Sequence, residues 1–180
     1  MEIVIGVAVV VILLLIIVWI SIGNKLARAQ VKIDEAESGI DVALTKRYDV
    51  LTKQLDIVKG YAAHESETIA RVIELRRGMP MAEKAAAVAA MNEMQGKINV
   101  VAEAYPELRS SDNFKALQNA VTDTEEHLQA ARRAYNANVS AFNQMLVAFP
   151  SSMVANSRHM TRRDFFEAEE MKREDVKMTF

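Results

Sequence analysis

The sequence predicts an all-α protein, an N-terminal transmembrane helix followed by an antiparallel helical bundle built on one long helix. Three observations predict it. Residues 3–22 carry no charge, and Ser21 is their one polar side chain. Glycine (6) and proline (3) are scarce among 180 residues, which disfavours sheets with many tight turns and favours long helices. Beyond the apolar run, Ile40, Leu44, Tyr48, Leu51, Leu55, Val58 and Ala62 recur at spacings of three and four, one face of an α-helix.

The first element, 1–23, is the membrane anchor. Twenty helical residues rise roughly 30 Å, the thickness of a hydrocarbon core. The span runs from Ile3 through Leu13 and Trp19 to Ile22, with Trp19 at the depth of a bilayer interface. A cleaved signal peptide is the competing reading. Its leading region is basic, whereas this chain starts Met1-Glu2, and Ala27-Arg28-Ala29 mimics a cleavage site but Lys25 and Arg28 sit where cleavage sites are normally uncharged. Lys25, Arg28 and Lys32 follow the span and Glu2 precedes it, so the positive-inside rule places the N-terminus outside and the C-terminal domain in the cytoplasm. The same three cations are candidates for contact with lipid head groups.

The bundle is expected over 24–150. Gly23-Asn24 is placed either to break or to bend the chain. A long helix follows over 25–77, with flexing expected at Gly39 and Gly60, a rod of roughly 80 Å. Its stripe continues through Ile69 and Val72. Gly78-Met79-Pro80 ends it, glycine favouring the cap and proline the start of the next helix. The second helix covers 81–105 with a stripe of Val88, Met91, Gln95, Ile98, Ala102 and Tyr105, and Pro106 stops it. Ser111 or Asp112 caps the third, which runs to Phe149 with Phe114, Leu117, Val121, Leu128, Ala131, Tyr135, Phe142 and Phe149 in line. The tail, 151–180, holds a short segment around Met153, a basic patch (Arg158, Arg162, Arg163) and an acidic, helical stretch over 164–170.

With 6% aromatic residues the core is built from Leu, Val, Ile, Met and Ala, and the ten methionines serve as adaptable fillers. The stripe over 30–77 fits either the chain's own helices or coiled-coil packing against a second copy. A net charge of −2 with mixed signs gives no reason to expect nucleic acid. Zero cysteines exclude disulfides, thiolate chemistry and lipid attachment through an N-terminal cysteine.

Candidate chemistry is thin. His64, His127 and His159 lack the spacing that puts two ligands on one helix face, so no metal or other cofactor is expected. Gly60 and Gly78 have no phosphate-loop context, and Ser151-Ser152 no nucleophile elbow. Glu125, Arg132, Tyr135 and Asn136 fall on one side of the third helix. They read as a structural polar network that sets helix register, against the alternative of a catalytic acid, which needs a cleft and a second group.

The order of segments resembles the LemA family of bacterial membrane-anchored helical proteins. The matching pieces are Ile40-Asp41-Val42 with Lys46-Arg47-Tyr48-Asp49, then Val58-Lys59-Gly60-Tyr61-Ala62 with His64-Glu65. Ala102-Glu103-Ala104-Tyr105-Pro106-Glu107-Leu108, Asn113-Phe114, Leu117-Gln118 and Thr124-Glu125 follow. Arg132, Tyr135-Asn136, Val139, Phe142-Asn143, Phe149-Pro150-Ser151 and Phe165-Phe166-Glu167-Ala168-Glu169 complete a collinear set over about 33–170. The resemblance implies a membrane helix, an antiparallel bundle and no enzyme activity. Some members carry a lipoprotein cysteine that this chain lacks, so its anchor is the helix.

The expected function is a membrane-anchored scaffold at the bacterial inner membrane, in contact with lipid and homo-oligomeric. The alternatives are a monomeric adaptor holding an unidentified protein partner through the bundle or C-terminal segment, and a membrane-tethered enzyme using Glu125, Arg132 and Tyr135.

Overall fold

Helix formation carries straight through the junction between the apolar run and the amphipathic stretch. The computed structural model describes residues 1–61, 75 and 78–167, and its first helix, α1, spans Glu2–Tyr61. Gly23, Asn24, Gly39 and Gly60 all lie inside it without a break. Each internal glycine costs up to about 1 kcal/mol relative to alanine, and packing along the buried face offsets it. The expected continuation over 62–74 and at 76–77 lies outside the described residues. Leu75 is not helical, so a single helix to Arg77 is not what forms; Leu75 instead lines a groove with Met79 beside α1. Among the described residues four more helices follow and no strand: α2 (Met81–Ala104), α3 (Pro106–Ser110), α4 (Asp112–Val147) and α5 (Ser151–Ser157).

The punctuation is chemical. Gly78 takes φ 77°, a left-handed backbone that side chains disfavour, just before Pro80 turns the chain into α2. Tyr105 leaves the helical region ahead of Pro106, which then opens α3. This short helix was not expected from the sequence stripe. The Ser111 hydroxyl accepts the Phe114 N–H at 3.3 Å and caps α4. That helix stops at Val147, short of the expected Phe149, because Phe149 precedes Pro150. The Ser151 hydroxyl lies 2.7 Å from the Met145 carbonyl and 2.9 Å from that of Ala148, meeting two carbonyls of the last turn. Phe149 is therefore exposed and not part of the core stripe.

The chain divides into two units. The first joins Met1–Glu37 to Ala134–Asp164. Leu26 and Ile33 of α1, seven residues apart, are buried, as are Tyr135, Val139 and Phe142 of α4 and Val154 and Ala155 of α5. The α4 segment runs antiparallel to α1. Asn138 donates to the Lys32 carbonyl at 3.2 Å, while Tyr135, one turn earlier, sits within electrostatic reach of Asp34 and Glu37. After α5 the chain reverses at His159 (φ 51°), where the Met160 N–H closes back on the Ala155 carbonyl at 3.0 Å.

The second unit joins Ser38–Arg133 to the segment from Phe165 onward. Ile40, Leu44, Leu51, Leu55 and Val58 of α1 are buried here, with Met91 and Ile98 of α2, Leu108 of α3 and Phe114, Val121 and Leu128 of α4. Tyr48, expected in the stripe, is half-buried; the neighbouring Arg47 takes the core position instead. The α4 portion is antiparallel to α1, as expected. Helix α2 is parallel to it, because Lys84 meets Asp41 and, further along both helices, Asn92 and Gln95 meet Arg47. The expected helix over 164–170 is not formed at 164–167, where the burial of Phe166 and a bond to the Glu167 carbonyl fix the backbone; 168–170 lie outside the described residues.

Candidate functional site

The chemistry-bearing side chains of the second unit meet inside helix seams. Arg47 lies seven residues after Ile40 and seven before Gln54, so the repeat that buries Ile40 buries Arg47 as well. Its side chain is 2% exposed. Its Nη2 donates to Asn92 Oδ1 at 2.7 Å and Gln95 Oε1 at 3.2 Å on α2, and lies 3.0 Å from Glu125 Oε2 on α4. Gln129, one turn along α4, donates to the other Glu125 oxygen at 2.7 Å and orients the carboxylate. One guanidinium therefore ties three helices.

Lys84 repeats the device one layer away. It is fully buried seven residues before Met91, and its Nζ lies 2.5 Å from Asp41 Oδ1. In both pairs the cation is buried and the carboxylate stands about one-third exposed at the seam edge. Arg47, Asp41 and Lys84 were missed by the sequence stripes, although extending the α1 and α2 repeats through charged positions reaches both cations.

The four residues expected to form one network go to different places. Glu125 pairs with Arg47, not with Arg132. Arg132 lies over the buried Phe166 ring, 4.6 Å from its centroid, and donates to the Glu167 carbonyl at 3.2 Å. Spacing along α4 is seven residues between Glu125 and Arg132, but their partners come from different segments. Tyr135 belongs to the first unit, where its hydroxyl donates to the Asp164 carbonyl at 3.0 Å; Asn136 beside it is half-buried.

Burial, and then the negative charge of Glu37, raise the Tyr135 phenol above its ordinary value; Arg163 acts in the opposite direction. The neighbouring strap is pinned at Arg163. Asn143 accepts its N–H at 3.0 Å and donates to its carbonyl at 2.9 Å, and the guanidinium pairs with Asp34.

The expected anchor residues Ile3, Leu13 and Trp19 are exposed on α1, and Ile22 is half-exposed. The apolar stretch is long enough to cross a membrane, and none of its window is covered by the rest of the chain. Lys25, Arg28 and Lys32 project from the helix just beyond it, exposed. His127 and His159 are exposed, while His64 lies outside the described residues. Among the described residues no group of three His, Asp or Glu side chains gathers as a metal site. Two grooves, of about 560 and 400 Å³, border α1, the larger lined by Asp41, Asp49, Leu75 and Met79, the smaller by Lys53, Asp56 and Leu117. Neither lining includes Glu125, Arg132 or Tyr135.

These features define an all-helical protein with an N-terminal helix of membrane length and a bundle tied by buried ion pairs. The LemA family model matches residues 36–180, and the chain belongs to the LemA family. It is 28% identical to Protein LemA of Metamycoplasma hominis over 164 residues, covering 88% of this chain and 75% of that protein. A shorter likeness, 24% over 71 residues, links 39% of this chain to 26% of Magnetosome protein MamQ of Magnetospirillum gryphiswaldense. Magnetosome protein MamQ 2 of Paramagnetospirillum magneticum is 26% identical over 72 residues, 40% of this chain and 26% of that protein.

Proposed function

We infer that this protein is a membrane-anchored helical scaffold that self-assembles at the bacterial inner membrane without performing a reaction. The observation that carries the reading is where its charged residues go. Arg47 with Glu125 and Lys84 with Asp41 hold helices in register across seams, whereas acid–base chemistry needs groups converging on a cleft. The relatives' names specify no reaction. The uncovered apolar segment of α1 supports a single-pass anchor over 1–23 ahead of the bundle over 24–150 and the tail over 151–180. The cations after that segment support a cytoplasmic bundle with the N-terminus outside. Lys25, Arg28 and Lys32 then meet lipid head groups.

The absence of cysteine gives clean tests. Val31 and Val42 are exposed on α1. A single cysteine placed at either one is expected, when an added oxidant takes up the two electrons in isolated native membranes, to join chains into disulfide dimers, and a population that stays monomeric at both positions contradicts self-assembly. A Lys97→Cys variant is expected to resist a membrane-impermeant thiol reagent in intact cells; ready labelling reverses the orientation. The adaptor reading draws on the 560 Å³ groove, whose lining mixes apolar side chains with charges of both signs, Asp49 and Lys46 among them, and suits a partner's side chain. It becomes the leading one if both cysteines stay monomeric.

A further inference from the structure

The end of α4 and the start of α5 carry an apolar surface that the bundle does not use. Phe149 is 81% exposed, Val147 61% and Met153 54%, all within seven residues. The level of this surface along α1 follows from register within the first unit. Asn138 bonds the Lys32 carbonyl and Tyr135 faces Asp34 and Glu37, so α4 and α1 run antiparallel with residue numbers summing to about 170. Val147, the last residue of α4, is thus level with Gly23, just past the membrane-length run, and Phe149 follows two residues later in the turn.

A separate contact gives the same level. Arg158, just past α5, donates from Nη1 to the Gly23 carbonyl at 3.2 Å. Its guanidinium lies so close that a Cβ on Gly23 would fall 2.3 Å from Nη2. The end of α5 therefore lies against the helix where the apolar run stops, and a side chain at 23 would make the flexible Arg158 guanidinium shift.

Charge at this end is one-sided. Residues 3–33 and 134–163 of this unit contain no Asp or Glu, while Lys25, Arg28, Lys32, Arg158 and Arg162 are cationic; Asp34, Glu35, Glu37 and Asp164 lie further from the tip, where Arg163 pairs with Asp34. An apolar tip rimmed by cations matches a bilayer whose surface is anionic and whose interior begins a few ångströms below.

We propose that the 147–153 turn is a second membrane contact, a wedge seated in the lipid interface beside the anchor, with Phe149 and Met153 in the upper acyl region. The inference rests on 1–23 being a membrane anchor. The wedge adds a second attachment point to the anchor, so the tilt of this unit is set by lipid as well as by its helix packing, and anionic lipid strengthens the seating.

The test uses full-length protein in nanodiscs containing brominated lipids, with Trp19→Phe removing the single native tryptophan. Phe149→Trp and, separately, Met153→Trp are both at exposed positions and crowd nothing. Each is expected to emit at shorter wavelength than in water and to lose about half its emission to lipids brominated near the carbonyl end of the chain, consistent with a burial of roughly 5–10 Å. Val31→Trp, roughly 12 Å further along α1 than Gly23, is expected to stay unquenched.

Water-like, unquenched emission at both 149 and 153 overturns the proposal. Shortened wavelength without bromine quenching also overturns it, because a second protein copy then covers the turn. Equal quenching at 31 and 149 overturns the depth assignment. Leu13→Trp, read with lipids brominated near the chain end, separates the two readings: quenching there with none at 149 and 153 refutes the wedge alone, whereas none at 13 refutes the anchor itself.

Discussion

Removing Glu125 is expected to damage the bundle more than removing both members of its ion pair. Arg47 is buried in the α1–α2–α4 seam with its guanidinium against the Glu125 carboxylate. Glu125→Ala takes away that counter-charge and leaves the cation inside. Breaking a buried pair costs about 3–5 kcal/mol. Glu125 is one-third exposed, and Asn92 and Gln95 still accept from Arg47, which lowers the expected cost to about 2–3 kcal/mol. For a domain of this size the midpoint moves roughly 2–4 °C per kcal/mol, so thermal unfolding by circular dichroism in nanodiscs should fall by roughly 4–12 °C. Arg47→Met with Glu125→Leu replaces the pair by apolar groups and is expected to return within about 1 kcal/mol of the parent. A loss from Glu125→Ala below about 0.5 kcal/mol, with the double variant equal to the sum of the singles, refutes the reasoning.

Three further outcomes are expected. Asp41→Asn, which leaves the buried Lys84 charge without this carboxylate, lowers stability by about 2–3 kcal/mol, whereas Lys84→Met stays within about 1 kcal/mol of the parent; urea unfolding of the two variants reads the difference. Arg132→Ala removes the cation over Phe166 and the bond to the Glu167 carbonyl, costing about 1–2 kcal/mol, and limited proteolysis should cut the C-terminal segment sooner while the rest of the bundle keeps its protection. Tyr135 has its pKa raised on folding, so the native state favours the neutral phenol: its contribution is full below the unfolded value of 10.0 and is lost as pH rises through the higher folded value. Tyr135→Phe should therefore cost about 0.5–1.5 kcal/mol at neutral pH and flatten the loss of stability above pH 10, as unfolding measured across an alkaline series checks.

What the sequence revealed and what it hid have physical causes. The helices were legible because their apolar residues repeat at three and four, and because Pro106, Pro150 and Ser111 are local signals that act without help from the rest of the chain. Phe149 misled for the same reason: it continues the seven-residue spacing of Tyr135 and Phe142, but the helix ends before reaching it. Arg47 and Lys84 were hidden because a hydrophobic stripe is read by skipping charges, and a buried cation is legible only once its carboxylate is known to be near. Those carboxylates sit on other helices, and nothing local links residue 47 to 125. The parallel course of α2 along α1 was equally nonlocal, since it rests on Lys84, Asn92 and Gln95 meeting Asp41 and Arg47 some forty-five residues earlier. The split of Glu125, Arg132 and Tyr135 among different partners follows from the C-terminal segment, whose backbone carbonyls at Asp164 and Glu167 capture two of them.

Self-assembly is the central claim, and the particle mass of the full-length protein in lipid nanodiscs or mild detergent tests it most directly. The scaffold account predicts a discrete multiple of the chain mass that persists on dilution. A monomeric mass across the same concentrations contradicts it.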